Sequence, residues 1–557
     1  VNIMPTTELE KRTEHLTIFL VKREYASHLD IINSAGCREP IAVPISGCGI
    51  CQLYIRTVRD KQVGWAELFS DTLNISQIDT FSSVHAALLV KMEDRSYVLT
   101  FGQGGRFLVK EGAYEEKFGL LVALNSVDRE SFRCVDKQSL DTLQSHTRIQ
   151  SGYEASADQF GLDVEQDMLK AIVGTPTDTR LGSRMSGTDS LSVSVRMRLA
   201  DLPFLLRSYK DKFEQDLSKT DYQWVNNISL VKHNSQLVDE LDNALVANIR
   251  ANDHSKVWLA IPEIIHWDVV KGFIYSHGKS NLYTDITLHN FLKTVDDIDS
   301  ITIDLLKNRS VSCADADHQK VFKHWPIYKC VYAEIDLGAN KYILNDGKWF
   351  HVNEDFVART NVDYQEIPYS NLTLPIYEGD NEGEYNQQVS AQYPQRFALL
   401  DAKNKISHGG GHGQVEACDL LSIDRQLIHI KIYGKSSVFS HLFSQGFVSG
   451  QLLQLDAEFR RKVREKLDAP FDELIAVDRR PRENEYTIIF AVISDQKHKR
   501  LSIPFFSRVN LNNTFKMLKG YGYEVELLKI DVDEQYSKRV IGKKKLAPYE
   551  RKLRRAL

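Results

Sequence analysis

Val415-Glu-Ala-Cys-Asp-Leu-Leu421, Leu427-Ile-His-Ile-Lys-Ile432 and Tyr486-Thr-Ile-Ile-Phe-Ala-Val-Ile493 are three apolar runs, and each reads as a β-strand. The third is apolar almost throughout, as expected of a strand in a sheet buried on both faces. The turn Asp424-Arg-Gln426 folds the second run back on the first. Between the second and third, Ser436 caps a helix running through His441 and Gln445, and a second helix reaches Leu467. Upstream, the turn-rich Glu378-Gly-Asp-Asn381 precedes a helical segment that contains Glu384 and ends near Ala391. Phe397-Ala-Leu-Leu400 then forms a short strand. The order is helix, strand, strand, strand, helix, strand.

That order gathers chemistry. His429 and Lys431 are two apart on a strand and project from one face. Pairing of 415–421 with 427–433 brings Asp419 close to that face, and Glu384 and Glu416 add carboxylates. Oxygen ligands of this kind hold a hard divalent cation, Mg2+ or Mn2+. Such a cation and a nearby ammonium stabilise the charge that develops on a phosphodiester under attack by water.

This region resembles the restriction-endonuclease-like superfamily, the PD-(D/E)xK nucleases, over about 120 residues. In that family an acid on the first helix precedes an acid on the second strand and a Glu-x-Lys pair on the third. The resemblance implies Glu384 and Asp419 as metal ligands, Lys431 as the catalytic lysine, and Gln445 as a contact to the scissile strand, with Glu416 a further candidate ligand. His429 stands where the family usually has Glu or Gln, and Mg2+ prefers oxygen to imidazole. Either Glu416 supplies the missing ligand or the fold is one that no longer cuts.

Over its whole length the chain is also similar to a sporadically distributed bacterial family of about this size, often associated with mobile elements and defence loci. The residues that carry this likeness are Phe101-Gly-Gln-Gly-Gly-Arg-Phe-Leu-Val-Lys-Glu-Gly-Ala-Tyr114, Cys418-Asp-Leu-Leu421 and Ser440-His-Leu-Phe-Ser-Gln-Gly446. The resemblance implies defence against phage or foreign DNA; a partner protein from a defence locus is a separate candidate. The likeness supplies no reaction.

Working outward, 557 residues with 42% hydrophobic and 26% charged content describe a folded, multidomain α/β protein. No apolar run reaches the roughly 18–20 residues of a membrane-spanning helix. Val1 to His15 is polar and acid-bearing, unlike a secretory signal, so a cytoplasmic setting with no membrane partner is expected. Seven scattered cysteines suggest no disulfide framework, and Cys48-Gly-Ile-Cys51 lacks the second pair a structural zinc needs.

Four parts are expected: an N-terminal α/β or α+β domain (1–150), a middle mixed domain (151–370), the nuclease-like domain (371–533) and a basic tail (534–557). In the first, Leu16–Val21, Ala86–Lys91, Ser96–Phe101 and Gly119–Leu124 read as strands. The glycines of 102–105 read as a tight turn rather than a phosphate loop, because no P-loop or dinucleotide fingerprint follows. In the second, Leu237, Leu241, Leu245 and Ile249 mark a helix, and Asp346-Gly347 marks a β-hairpin.

Net charge of −5 gives no general attraction for polyanions, so nucleic acid, DNA above RNA, has to be met locally. Lys543, Lys544, Lys545, Arg551 and Arg554 in the tail are candidate phosphate contacts. The readings that compete with a nuclease are a non-catalytic nucleic-acid binder or phage sensor, and a nucleotide-dependent transferase or toxin with Lys431 on a phosphate. The Gly-rich stretch Ser407–Gly413, with His408 and His412, reads as a turn or mobile lid.

Overall fold

The computed structural model describes the chain apart from residues 1–10, 141–144, 166, 218–219, 221, 232–235, 252, 255, 266, 268–269, 277–280, 315–320, 380, 401–405, 409–412, 434–436 and 534–557. The Lys543, Lys544, Lys545, Arg551 and Arg554 contacts, Ser436 and His412 lie outside the described residues. No described helix is long and apolar enough to cross a membrane.

The chain is mixed α/β and divides into two units, residues 1–138 with 146–225 and residues 139–145 with 226–557. The first carries a ten-stranded sheet in which Arg12–Leu20 lies antiparallel between Arg95–Phe101 and Leu191–Met197. This sheet runs through residue 197, past the boundary near 150 that the sequence suggests. The hairpin Phe81–Met92 to Arg95–Phe101 forms as expected, with Glu93 at φ 54° in its turn.

Gly119–Leu124, expected as a strand, lies in the α-helix Phe118–Leu124. Nearly every residue in it is buried, and a helix buried all round has the same short apolar signature as a strand. The Gly102–Gly105 turn is accounted for by packing. Gly104 N–H donates to His85 Nδ1 at 3.0 Å, and a Cβ on Gly104 would sit 2.6 Å from that ring.

The second unit contains the helix Gln236–Arg250, whose Leu241, Leu245 and Ile249 are buried as the spacing requires. A five-stranded antiparallel sheet includes the expected hairpin Asn340–Asn345 to Lys348–Val352, with Asp346 and Gly347 both at positive φ. Buried Asp242 ties helix to sheet by accepting from Tyr328 Oη at 2.7 Å and Trp349 Nε1 at 2.8 Å.

The C-terminal part of this unit is a five-stranded sheet with helices on both faces. Its elements are α1 (Glu382–Gln392), β1 (Phe397–Leu399), β2 (Leu420–Ser422), β3 (Gln426–Ile432), α2 (Ser437–Leu455), β4 (Thr487–Ser494), α3 (Phe505–Gly520) and β5 (Glu524–Asp531). The strands lie in that order, β1 to β3 antiparallel and β3 to β5 parallel. Ile488, Phe490 and Val492 of β4 enter one core while Ile489, Ala491 and Ile493 enter another, so the strand is buried on both faces.

Residues before 371 belong to this structure. Glu334, 1% exposed, accepts from Phe505 N–H at 2.7 Å at the start of α3. Pro368 and Ser370 exchange backbone hydrogen bonds with Leu527 of β5.

Candidate functional site

The expected strand 415–421 is divided. Gly413–Val415 pairs with Ile406–His408 in a separate ribbon, and only Leu420–Ser422 pairs with β3. The chain therefore leaves β3 just before Asp419. Antiparallel pairing would otherwise supply acceptors to the β3 amides beyond that point, and buried amides need them. Carboxylates take the place of the missing strand. Ile430 N–H donates to Asp419 Oδ2 at 2.6 Å, and Ile432 N–H donates to Glu382 Oε1 at 2.9 Å.

Lys431 lies between those two amides and donates from Nζ to Glu382 Oε2 at 2.7 Å. Burial favours the neutral amine, but the Glu382 hydrogen bond and the charges of Glu382, Asp419 and Glu416 more than offset it. The Lys431 pKa is raised, and the side chain is a cation at neutral pH. From α2, Gln445 Nε2 donates to Glu416 Oε2 at 2.8 Å. Lys431, Asp419, Glu416 and Gln445 are thus gathered at the point where β2 and β3 part.

Two candidate residues are placed elsewhere. Glu384 is exposed on the first turn of α1, where its N–H is capped by Asn381 Oδ1 at 2.9 Å. Glu382, two residues earlier, is the acid of α1 that reaches Lys431. The sequence reading missed it because helix spacing alone did not tell which acid of Glu382-Gly-Glu384 turns inward. His429 is 1% exposed under α2, its Nε2 3.3 Å from Ser449 Oγ and its ring beside Phe490. Burial, with Lys431 adding repulsion, lowers its pKa to about 3, so the imidazole is neutral.

The carboxylates outnumber the ammonium three to one, and hard oxygen donors are the right kind for Mg2+ or Mn2+. Their arrangement does not fit a ready-made ion site. Both Glu382 oxygens and Asp419 Oδ2 already accept hydrogen bonds. Among the described residues, no group of three or more His, Cys, Asp or Glu side chains is placed to hold a metal. The arrangement can hold a polar, partly buried ammonium beside several carboxylates where β2 stops pairing with β3.

Residues 16–531 match a family of unknown function, DUF6119. The chain belongs to that family. The match runs from the first described strand of the N-terminal sheet to the end of β5, so the family's extent includes both units and the whole acid–lysine cluster. No curated protein matches the chain, and no solved structure does.

Proposed function

We propose that this protein cleaves a polynucleotide, with DNA as the expected substrate, in defence against phage or foreign DNA, and that its C-terminal part is a restriction-endonuclease-like domain. The observation that carries the reading is the convergence of Lys431 with Asp419, Glu416 and Glu382 where β2 and β3 separate. The element order from α1 to β5, and the antiparallel-to-parallel change at β3, support the same assignment. In this reading Lys431 neutralises charge on the scissile phosphate, which a raised pKa suits. For Asp419 and Glu416 to supply oxygen donors, they would first have to turn from their present hydrogen bonds with Ile430 N–H and Gln445. Mg2+ or Mn2+ is the cofactor the reading calls for. A cytoplasmic setting and a partner from a defence locus belong to the same proposal.

A second reading, nucleic-acid binding without cleavage, is favoured by one observation. Glu382 and Asp419 are occupied by backbone amides and Lys431, Glu416 accepts from Gln445, and among the described residues these acids form no ligand group. Incubating the full chain with plasmid, linear DNA and RNA, with Mg2+, Mn2+ or EDTA, separates the two. Cation-dependent shortening of any substrate supports cleavage. Retention of polynucleotide with no shortening under any cation supports the binding module.

A further inference from the structure

We infer that the loop Asp495–Arg500 is a backbone-phosphate contact surface for the polynucleotide that the C-terminal part engages; this rests on the nucleic-acid reading above. The parallel register decides where the loop emerges. Ile432 pairs with Ile493 and Ser494 with Asp531, so β3 and β4 end together, and the chain leaves β4 at the end of the sheet that Lys431 occupies. Tyr433, two residues after Lys431, projects on the same face of the strand, and its Oη donates to Ser502 O at 2.9 Å. That bond ties the return of the loop to the face that carries Lys431.

The loop is held at both ends. Gln496 N–H donates to Ser494 Oγ at 3.2 Å, and the Gln496 side chain exchanges hydrogen bonds with the Ser502 backbone at 2.9 and 2.8 Å. Arg500 is committed to structure. Its guanidinium stacks on Tyr364 and Tyr369 and donates to Ile367 O at 3.0 Å. What remains at the tip is Lys497-His498-Lys499, all three exposed. Neither lysine has an ion-pair partner among the described residues, and Asp495 is the one acid in the loop.

Surface lysines are ordinarily paired or spread on long mobile stems. Two lysines without an ion-pair partner among the described residues, one residue apart on a loop fixed at both ends that leaves the sheet at the end Lys431 occupies, form a small pre-organised cationic surface. Polyanion binding by such a surface releases counterions, so affinity depends on salt in proportion to the phosphates neutralised.

The test uses the full chain, a fluorescent DNA duplex and a single-stranded RNA, with Kd measured across a salt series. Lys497→Gln/Lys499→Gln should keep the wild-type melting temperature, because both side chains are exposed. It should weaken binding several-fold near physiological salt and flatten the log Kd against log salt slope for duplex by about 1.8, at about 0.9 per lost contact. Wild-type binding with an unchanged slope and affinity in the double variant overturns the loop assignment and leaves the functional reading standing. Failure of the wild-type chain to bind either polynucleotide overturns both.

Discussion

Lys431 and Glu382 form a two-point contact. Nζ donates to one carboxylate oxygen at 2.7 Å, and the amide of the next residue, Ile432, donates to the other at 2.9 Å. A single acid thus anchors the start of α1 to the open edge of β3 and sets the position of the lysine.

Separating those two jobs gives the first prediction. Glu382→Gln keeps an acceptor for Ile432 N–H and loses the ion pair, whereas Glu382→Ala loses both. The alanine variant should lose about 1–3 kcal/mol and the glutamine variant less, read as urea midpoints at constant m-value. Equal midpoints for both variants and wild type would show that the contact holds nothing together.

The Glu334 cap on α3 leads to a second prediction. The fragment 371–557 lacks Glu334, which serves the Phe505 amide, and Tyr364, which donates to Leu501 O at 2.7 Å from within the C-terminal core. That fragment should be poorly soluble or molten, whereas 226–557 should give a cooperative thermal transition. A cooperative transition in 371–557 equal to that of 226–557 would disprove the dependence.

Much of the C-terminal architecture was legible in the residues. Period and turn chemistry marked β3, β4 and the Asp346-Gly347 hairpin, because Asp-Gly and all-apolar runs have few alternative solutions. Asp419 and Lys431 were legible as neighbours once the hairpin turn at Arg425, φ 59°, fixed the register. Three things were not. Phe118–Leu124 lacks any polar face to betray a helix. The departure of 413–415 from the sheet depends on pairing with Ile406–His408, a tertiary choice no local pattern encodes. Glu382 rather than Glu384 faces the lysine because of where α1 starts, and helix starts are the least determinate feature of a sequence.

His429 provides a pH prediction. Its folded pKa is lowered to about 3 from the ordinary 6.5, so the unfolded chain binds the extra proton between those values. The stability it contributes is full above about pH 6.5 and is lost as pH falls toward 3, at up to about 1.4 kcal/mol per pH unit. His429→Leu, which cannot take up that proton, should show a shallower fall of unfolding free energy between pH 6 and 4. Parallel slopes would mean the imidazole is solvated in the native state.

Gly446 lets α2 lie close to the sheet. A Cβ there would approach Phe490 Cε1 to 2.4 Å and His429 Cδ2 to 3.5 Å. Gly446→Ala should therefore destabilise by about 1–3 kcal/mol despite alanine's better helix propensity. A melting temperature at or above wild type would show that the helix can move away freely.

The central proposal is that Asp419 and Lys431 act together on a phosphodiester. The most direct measurement is the cleavage rate of linear DNA, plasmid and RNA by the full chain in Mg2+ or Mn2+, for wild type, Asp419→Asn and Lys431→Ala. Circular dichroism and melting confirm that each variant is folded; asparagine retains an oxygen acceptor for Ile430 N–H. Wild type should show cation-dependent cleavage that EDTA abolishes, and each folded variant should fall at least a hundredfold. Wild-type cleavage rates in folded Asp419→Asn and Lys431→Ala would contradict the proposal.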